Sequence, residues 1–385
     1  MQAHDLLIVG AGPVGLALAL SLHDTGLDIV VADARDEDAA AADPRILALA
    51  HGSRLTLERL GVWKDLPVTP ITTIHVSQEG SFGRTLIQAG DYDVPALGYV
   101  VSAGALAQGL RRAVGGAGIP VMNRSEVTGI TPRADRAIVD LRVDGDETKP
   151  MQCAARLVAC AEGGLGAGDP AVVERDYRQH ALIGFVGVEG GHCHKAWERF
   201  TREGPIALLP CEDRYALVHV TSPETADRLL ALDEKDYLLR LQNHFGSRIR
   251  LMSASARRRY PLCLRYRRDT VGQRTVWLGN AAQTLHPVAG QGFNLALRDV
   301  FALADAVRGP SDDPGSATAL EAYSRRRTLD RYATIHLTDG LVRLFSNTLL
   351  PLGHLRGMGL FALDVLPPLR DFLAKRMMFG ARAWP

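Results

Sequence analysis

The chain has 385 residues, 46% hydrophobic and 23% charged, which excludes disorder and suits a folded protein of about two domains. Its 44 basic and 43 acidic side chains leave a net charge of +1, which argues against a chain-wide field for nucleic acid. Glycine is in excess, 38 residues against a usual share of ~7%, with no Gly-X-Y period, so it marks turns and close backbone approaches.

The first predicted element is a buried strand, Leu6-Leu7-Ile8-Val9. It runs into Gly10-Ala11-Gly12-Pro13-Val14-Gly15 and then an apolar helix through Leu22. Leu6 to Leu22 is free of formal charge, as a signal peptide would be, but no basic segment precedes it and Gly-Pro interrupts it. Strand, GxGxxG and helix together form a dinucleotide-binding pattern. Gly10 permits the tight turn, Gly12 lets backbone approach a pyrophosphate, and Gly15 lets the helix lie close on the sheet. The helix N-terminus offers free N–H groups to that anion. A second strand, Asp28 to Ala32, ends at Asp33, placed to accept hydrogen bonds from a ribose diol. That acid fits FAD or NAD better than NADP.

Farther along, a helix begins near Ser53 and ends between Glu58 and Gly61. Strands are predicted over 72–77, 84–87, 181–188, 206–209 and 216–221, outside any βαβ unit, and suggest an antiparallel sheet. Residues 97–114 and 157–161 return to the α/β part. The five cysteines, Cys153, Cys160, Cys193, Cys211 and Cys263, are odd in number and lack CxxC spacing. They predict no disulfide framework or zinc site, and a reducing, cytoplasmic setting. His192-Cys193-His194 reads as a loop rather than a metal cluster, since adjacent residues on extended chain face apart. Arg257-Arg258-Arg259 with Arg265, Arg267 and Arg268 reads as alternation on a solvent-facing strand rather than a nucleic-acid surface. Arg325-Arg326-Arg327 reads as a solvated helix face.

A second glycine cluster follows the predicted strand 275–278. It spans Gly279-Asn280-Ala281-Ala282-Gln283-Thr284-Leu285-His286-Pro287-Val288-Ala289-Gly290-Gln291-Gly292-Phe293-Asn294, and a helix starts after Gly290. Two anion-receptive turns so far apart in the chain suggest one extended ligand held at both ends.

This cluster resembles the third flavin motif of class A flavoprotein aromatic hydroxylases. Its wording, with Asn280 in place of the usual acid, is similar to that of the ubiquinone-biosynthesis hydroxylases, and within them the 2-polyprenyl-6-methoxyphenol type. Ile71-Thr72-Thr73-Ile74-His75-Val76-Ser77 and Glu198-Arg199-Phe200-Thr201 strengthen the likeness, which covers residues 5 to 380. The resemblance implies that Gly10, Gly12, Pro13, Gly15 and Asp33 hold the ADP half of FAD. It implies that Arg45 contacts the flavin or its phosphates, and that Gly279 and Asn280 meet the ribityl chain. Pro287, Gly290, Gln291 and Gly292 would line the flavin ring, with Phe293 and Asn294 at the helix start beside it. The middle motif departs from the family: Ala161-Glu162-Gly163-Gly164-Leu165-Gly166 replaces Ala-Asp-Gly with a downstream arginine. Glu162 and Gly163 are still expected at the cofactor. The departure bears on the reductant, NAD(P)H in this class. A basic residue common near Ser102 to Ala105 is also absent.

The implied reaction is ring hydroxylation of a polyprenyl phenol with O2 through a flavin C4a-hydroperoxide, in ubiquinone synthesis. Hydroxylation of a soluble phenol and a flavin-free scaffold within a biosynthetic complex stand as alternatives. His286 is the candidate catalytic base, against the commoner role of a hydrogen-bonded turn histidine. The expected fold is α/β: a Rossmann-like FAD-binding domain (1–71, 97–177, 264–340) interleaved with an antiparallel β-sheet substrate domain (72–96, 178–263). A helical tail, 341–385, completes it. The tail is apolar and carries six basic against two acidic side chains. It suits an anionic membrane surface, or other proteins of the pathway; packing on the core is the alternative.

Overall fold

The computed structural model describes residues 2–39, 41–80, 83–143, 151–165, 169–309, 311–345 and 350–380. Gly166, named above, lies outside the described residues, as do 346–349 and 381–385 of the expected helical tail.

Four parallel strands form the centre of an eight-stranded sheet, in the order Thr275–Trp277, Met151–Cys160, Gln2–Val9 and Ile29–Ala32. Their registers bring Trp277, Cys160, Val9 and Ala32 level, so the four carboxyl ends open at one edge. These strands are apolar on both sides because both sides are covered. Leu6 and Ile8 pack under the helices Pro13–Ser21, Ala103–Gly116 and Gln291–Val307. Leu7, Val9 and Val30 face the strand Ala137–Val143.

A second sheet has nine strands. Its path runs Gln283–Thr284, Arg258–Arg267, Val172–Val188, Arg214–Thr221, Pro205–Cys211, Lys195–Phe200, Thr73–Gln78 and Arg84–Gln88. It is antiparallel except at one junction, where Lys195–Phe200 runs parallel to Thr73–Gln78. Leu182, Trp197, Leu208 and Leu217 bury one face under the helices Pro223–Leu230 and Glu234–Phe245. Those helices start at Ser222 and Asp233, whose side chains accept from the N–H groups of Thr225 and Asp236. The opposite face turns toward the α/β body.

Val172–Val188 is one strand of 17 residues. From Val172 to Ile183 it pairs with Arg258–Arg267, with a bulge between Asp176 and Gln179. The boundaries expected at 177/178 and 263/264 therefore fall inside continuous strands.

The solvated face expected for Arg325-Arg326-Arg327 is wrong at Arg327. Its helix, Ala317–Phe345, lies along Gln291–Val307 and aims Arg327 inward, leaving it 5% exposed. Its guanidinium pairs with Asp299 at 2.6 Å and Asp330 at 2.7 Å. Arg298 also binds Asp330, and Arg331 donates to Gln283 and to the Arg267 and Ala282 carbonyls. In the other basic stretch, Arg259, Arg265 and Arg267 pair with Asp227, Glu174 and Asp169, and Arg257 lies over the Tyr237 ring. Three of the six charges there are thus neutralised locally.

The C-terminal helices Leu350–Val365 and Pro367–Phe379 dock on the body. Ala374 and Met378 are buried with Ile87, Ala89 and Leu97. Among the described residues no helix is long and apolar enough to cross a membrane.

Candidate flavin and substrate site

The site begins where the four parallel strands end. Gly10, Ala161, Asp33 and Leu278 each follow the last residue of one strand, at the edge where open α/β sheets bind ligands. Backbone hydrogen bonds lock the ends together: Gly10 N–H to Ala32, Ala161 N–H to Val9, and Leu278 N–H to Cys160. Gly10 has φ +105°, and a Cβ there would lie 2.7 Å from the Ala161 carbonyl oxygen. The turn Ala161–Gly163 is thereby pressed against the first glycine turn. A Cβ at Gly15 would lie 2.0 Å from the Gly10 carbonyl oxygen, so the helix sits as close to the turn as a glycine allows. Pro13 opens that helix, where its missing N–H costs nothing. A Cβ on Gly12 would instead meet nothing within 4 Å and would project from the helix N-terminus into open space. This is the shape a pyrophosphate needs: backbone donors with no side chain in front of them.

Gly279 and Asn280 form a short 3-10 turn after Thr275–Trp277, beside Val14 of the first helix. The turn Pro287–Gly292 approaches from the other side. Gly290 caps the helix Gln291–Val307 in the left-handed region, at φ +57°, against Ala48. Gly292, like Gly12, has open space where a Cβ would be. Phe293 packs on the core below. The residues present thus fit FAD, with two unobstructed helix starts.

Several residues expected at the cofactor have protein partners. Asp33 accepts from the Ala11 N–H at 2.6 Å and from the Arg35 N–H and guanidinium at 2.8 to 3.0 Å. Burial alone would raise its pKa; Arg35 and the two backbone donors outweigh that and hold the carboxyl below its usual range. Asp33 therefore braces the glycine turn from within. Arg45 is paired with Asp43, two residues before it, with Nε 3.0 Å from the carboxylate. Glu162 is exposed at its turn, its carboxyl raised by desolvation against the opposing charge of Arg267.

Asn294 is saturated. Its Oδ1 accepts from the Ala50 N–H at 2.8 Å and the Ser53 hydroxyl at 2.7 Å; its Nδ2 donates to the Ala48 and Gly290 carbonyls. It ties the turn Pro287–Gly292 to the strand Ile46–Ala50. Replacing it by alanine orphans buried groups, and we expect Asn294→Ala to cost about 1–3 kcal/mol in a urea melt. An unchanged midpoint would show that water replaces these bonds.

The base assigned to His286 is not what the geometry provides. The ring is 1% exposed, and its Nδ1 accepts from the Val288 N–H at 3.1 Å. It packs edge-on against Tyr177, and burial lowers its pKa to about 4. A ring kept neutral and bonded to its own turn shapes that turn. Pro287 and Val288 beside it, not His286, line the neighbouring cavity.

That cavity, of about 280 Å³, lies between the turn Pro287–Gly292 and the inner face of the nine-stranded sheet. Ile74, Val76, Phe200, Leu209 and Val218 come from the sheet, and Pro287, Gly290 and Gln291 from the turn. Leu363, Leu373 and Met377 of the C-terminal helices roof it, and the Gln291 amide reaches the Met377 sulfur at 3.4 Å. Among the described residues lining it, Glu198 alone is ionisable. Sequence reasoning registered Glu198 only as part of a family-like stretch. The signal for its position was the strand alternation Ala196, Glu198, Phe200, with the acid on the inward parity.

A parallel sheet whose carboxyl edge carries three glycine turns, beside an apolar cavity, defines an FAD-dependent aromatic-ring monooxygenase. The profile of the FAD binding domain family matches residues 3–336. The chain is 31% identical to the ubiquinone hydroxylase UbiL of Rhodospirillum rubrum, covering 99% of this chain and 91% of that protein. It is 30% identical to the 3-demethoxyubiquinol 3-hydroxylase of Escherichia coli, covering 94% and 95%. Its fold is like that of p-nitrophenol 4-monooxygenase from Pseudomonas putida, with a TM-score of 0.79 at 14% identity over the whole of both chains. The chain belongs to the family of FAD-dependent aromatic hydroxylases of ubiquinone biosynthesis.

Proposed function

We propose that this protein hydroxylates the aromatic ring of a polyprenylated methoxyphenol in ubiquinone synthesis, with O2 and NAD(P)H. The observation that carries the reading is the cavity: apolar, against the flavin turn, and roofed by helices whose outer side is also apolar. Reduced FAD supplies oxygen activation and transfer when bound. The chain's own residues do the rest. Gly12 and the first helix start would hold the pyrophosphate. The Gly292 and Phe293 N–H groups, at a helix start, would stabilise negative charge on the reduced flavin. Ile74, Val76, Phe200 and Val218 seat the ring and exclude water that would waste the oxidant.

The test supplies flavin-loaded protein with NADH or NADPH and either a prenylated methoxyphenol or 4-nitrophenol. A product of the prenylated phenol heavier by one oxygen atom is expected, with little turnover of the nitrophenol. Preferential turnover of the nitrophenol would overturn the prenyl assignment.

The protein is further proposed to be cytoplasmic and to dock on membranes through its roof. Phe361, Val365, Leu366, Leu369 and Phe372 are each about half exposed, on the two helices that cover the cavity or at the junction between them. A lipid tail leaving a bilayer there would lie against the helices that cover the apolar space. Deleting 341–385 would strip the cavity's roof, so point variants are the cleaner probe. Phe361→Ser with Phe372→Ser should weaken binding to anionic liposomes about tenfold or more, given ~1.5–3 kcal/mol per buried aromatic side chain, with flavin retained. Unchanged liposome binding would exclude this face.

A further inference from the structure

The apolar cavity contains one group that its character does not explain. Glu198 stands on Lys195–Phe200 with Ala196 and Phe200 on the same side of the pleat. Its cross-strand neighbours are Ala207 and Val76, neither of which has a side chain able to bond it. The adjacent cation is committed elsewhere: Arg199 donates to the Ser77 hydroxyl at 2.9 Å and to the His244 carbonyl. Among the described residues lining the cavity, no charged or titratable side chain faces Glu198 from the strands 73–78, 84–88, 205–211 or 214–221. None does so from the turn 287–291, or from the helices that carry Leu341, Leu363 and Leu373. Burial is the sole influence on its carboxyl, which is pushed up to about 7.

A lone carboxyl among aliphatic side chains is costly, and such groups concentrate where a protein does chemistry. We infer that Glu198 accepts the phenol proton of the substrate ring and is a catalytic residue of the hydroxylation. This rests on the functional reading above. The substrate O–H bond breaks, a new O–H bond forms on the Glu198 carboxylate, and the electron pair stays on the substrate oxygen. Delocalised into the ring, that pair raises nucleophilicity at the ortho and para carbons. After oxygen transfer the newly hydroxylated carbon loses its ring proton to water. Glu198 then returns the first proton to the phenolate oxygen, and the carboxylate is restored. The same isolated negative charge would repel a ring carboxylate, so the site selects a neutral phenol over a benzoate.

The carboxylate is the active form. Wild-type kcat should therefore rise with pH through about 7 and level off above it. In Glu198→Gln, kcat should fall about 100-fold or more at neutral pH with little change in KM, and the acid limb should vanish. Glu198→Asp should recover part of the rate. A second readout is independent of turnover: quenching of flavin fluorescence by the prenylated phenol and by its O-methyl ether. Wild type should bind the phenol the more tightly, and Glu198→Leu should bind the two alike. Wild-type turnover and an unchanged pH profile in Glu198→Gln, or equal binding of phenol and ether by wild type, would overturn the role of Glu198 alone. Failure of wild type to bind or convert any prenylated phenol would overturn the functional reading itself.

Discussion

Gly15→Ala should bind FAD about 100-fold more weakly or worse, a loss of roughly 2.7 kcal/mol, and purify with little visible flavin absorbance. The added methyl would need the space 2.0 Å from the Gly10 carbonyl oxygen. That oxygen cannot retreat easily. The Gly10 N–H is bonded to Ala32 at 2.7 Å, and the Gly10 α-carbon is set against the Ala161 carbonyl. The helix Pro13–Ser21 must back away instead, taking its free N–H groups with it and opening the buried contact of Leu16 with the sheet. Apo stability should fall together with affinity. Gly12→Ala is the informative contrast, because its methyl meets no protein atom within 4 Å. It should leave the melting temperature of the apoprotein unchanged and still lose flavin, since only the pyrophosphate would meet the methyl. Wild-type FAD affinity in Gly12→Ala would show that the pyrophosphate does not cross this turn.

Arg327→Met should destabilise the protein by about 3–5 kcal/mol, the usual cost of stranding a buried ionic partner. Asp299 and Asp330 are each 1% exposed, and Arg327 bonds both. Asp330 keeps Arg298 and Asp299 keeps the Gln283 amide, so the damage should concentrate at Asp299. Arg327→Met combined with Asp299→Leu should be less destabilised than the sum of the single variants, the signature of a coupled pair. Urea melts at neutral pH measure both. A loss below about 1 kcal/mol for Arg327→Met would mean that water reaches the pair. The effect should spread to the cofactor, because Arg331 on the same helix holds Gln283 and the Ala282 carbonyl just after the Gly279 turn.

The glycine turns were legible because sterics dictate their spelling: no other residue tolerates 2.0 Å at Gly15, so the residue type reports the geometry. Polar residues were harder. Asp33 and Asn294 are polar groups at the mouth of a ligand site, and a one-dimensional reading assigns them to the ligand. In three dimensions both also hold the protein together, through Ala11 and Arg35 for Asp33 and through Ala48, Ala50, Ser53 and Gly290 for Asn294. Arg327 sits in a triplet that looks solvated, and only the register of its helix against Asp299 reveals otherwise. His286 lay one residue from the cavity, and one residue was enough to turn it away. Glu198 depended on strand parity and on which face of a sheet meets the flavin turn, which are tertiary facts.

The strand Val172–Val188 has a consequence for anyone who would take the protein apart. Because it and Arg258–Arg267 run unbroken from the cavity sheet to the edge of the α/β body, no cut separates a transplantable substrate module from a flavin module. Chimaeras with relatives should fail at junctions near residue 177 or 263, where a strand would be severed in mid-ladder. They should succeed only when both strands come from one parent. Selectivity for the substrate would then change by substitution along the cavity wall rather than by exchange of a domain.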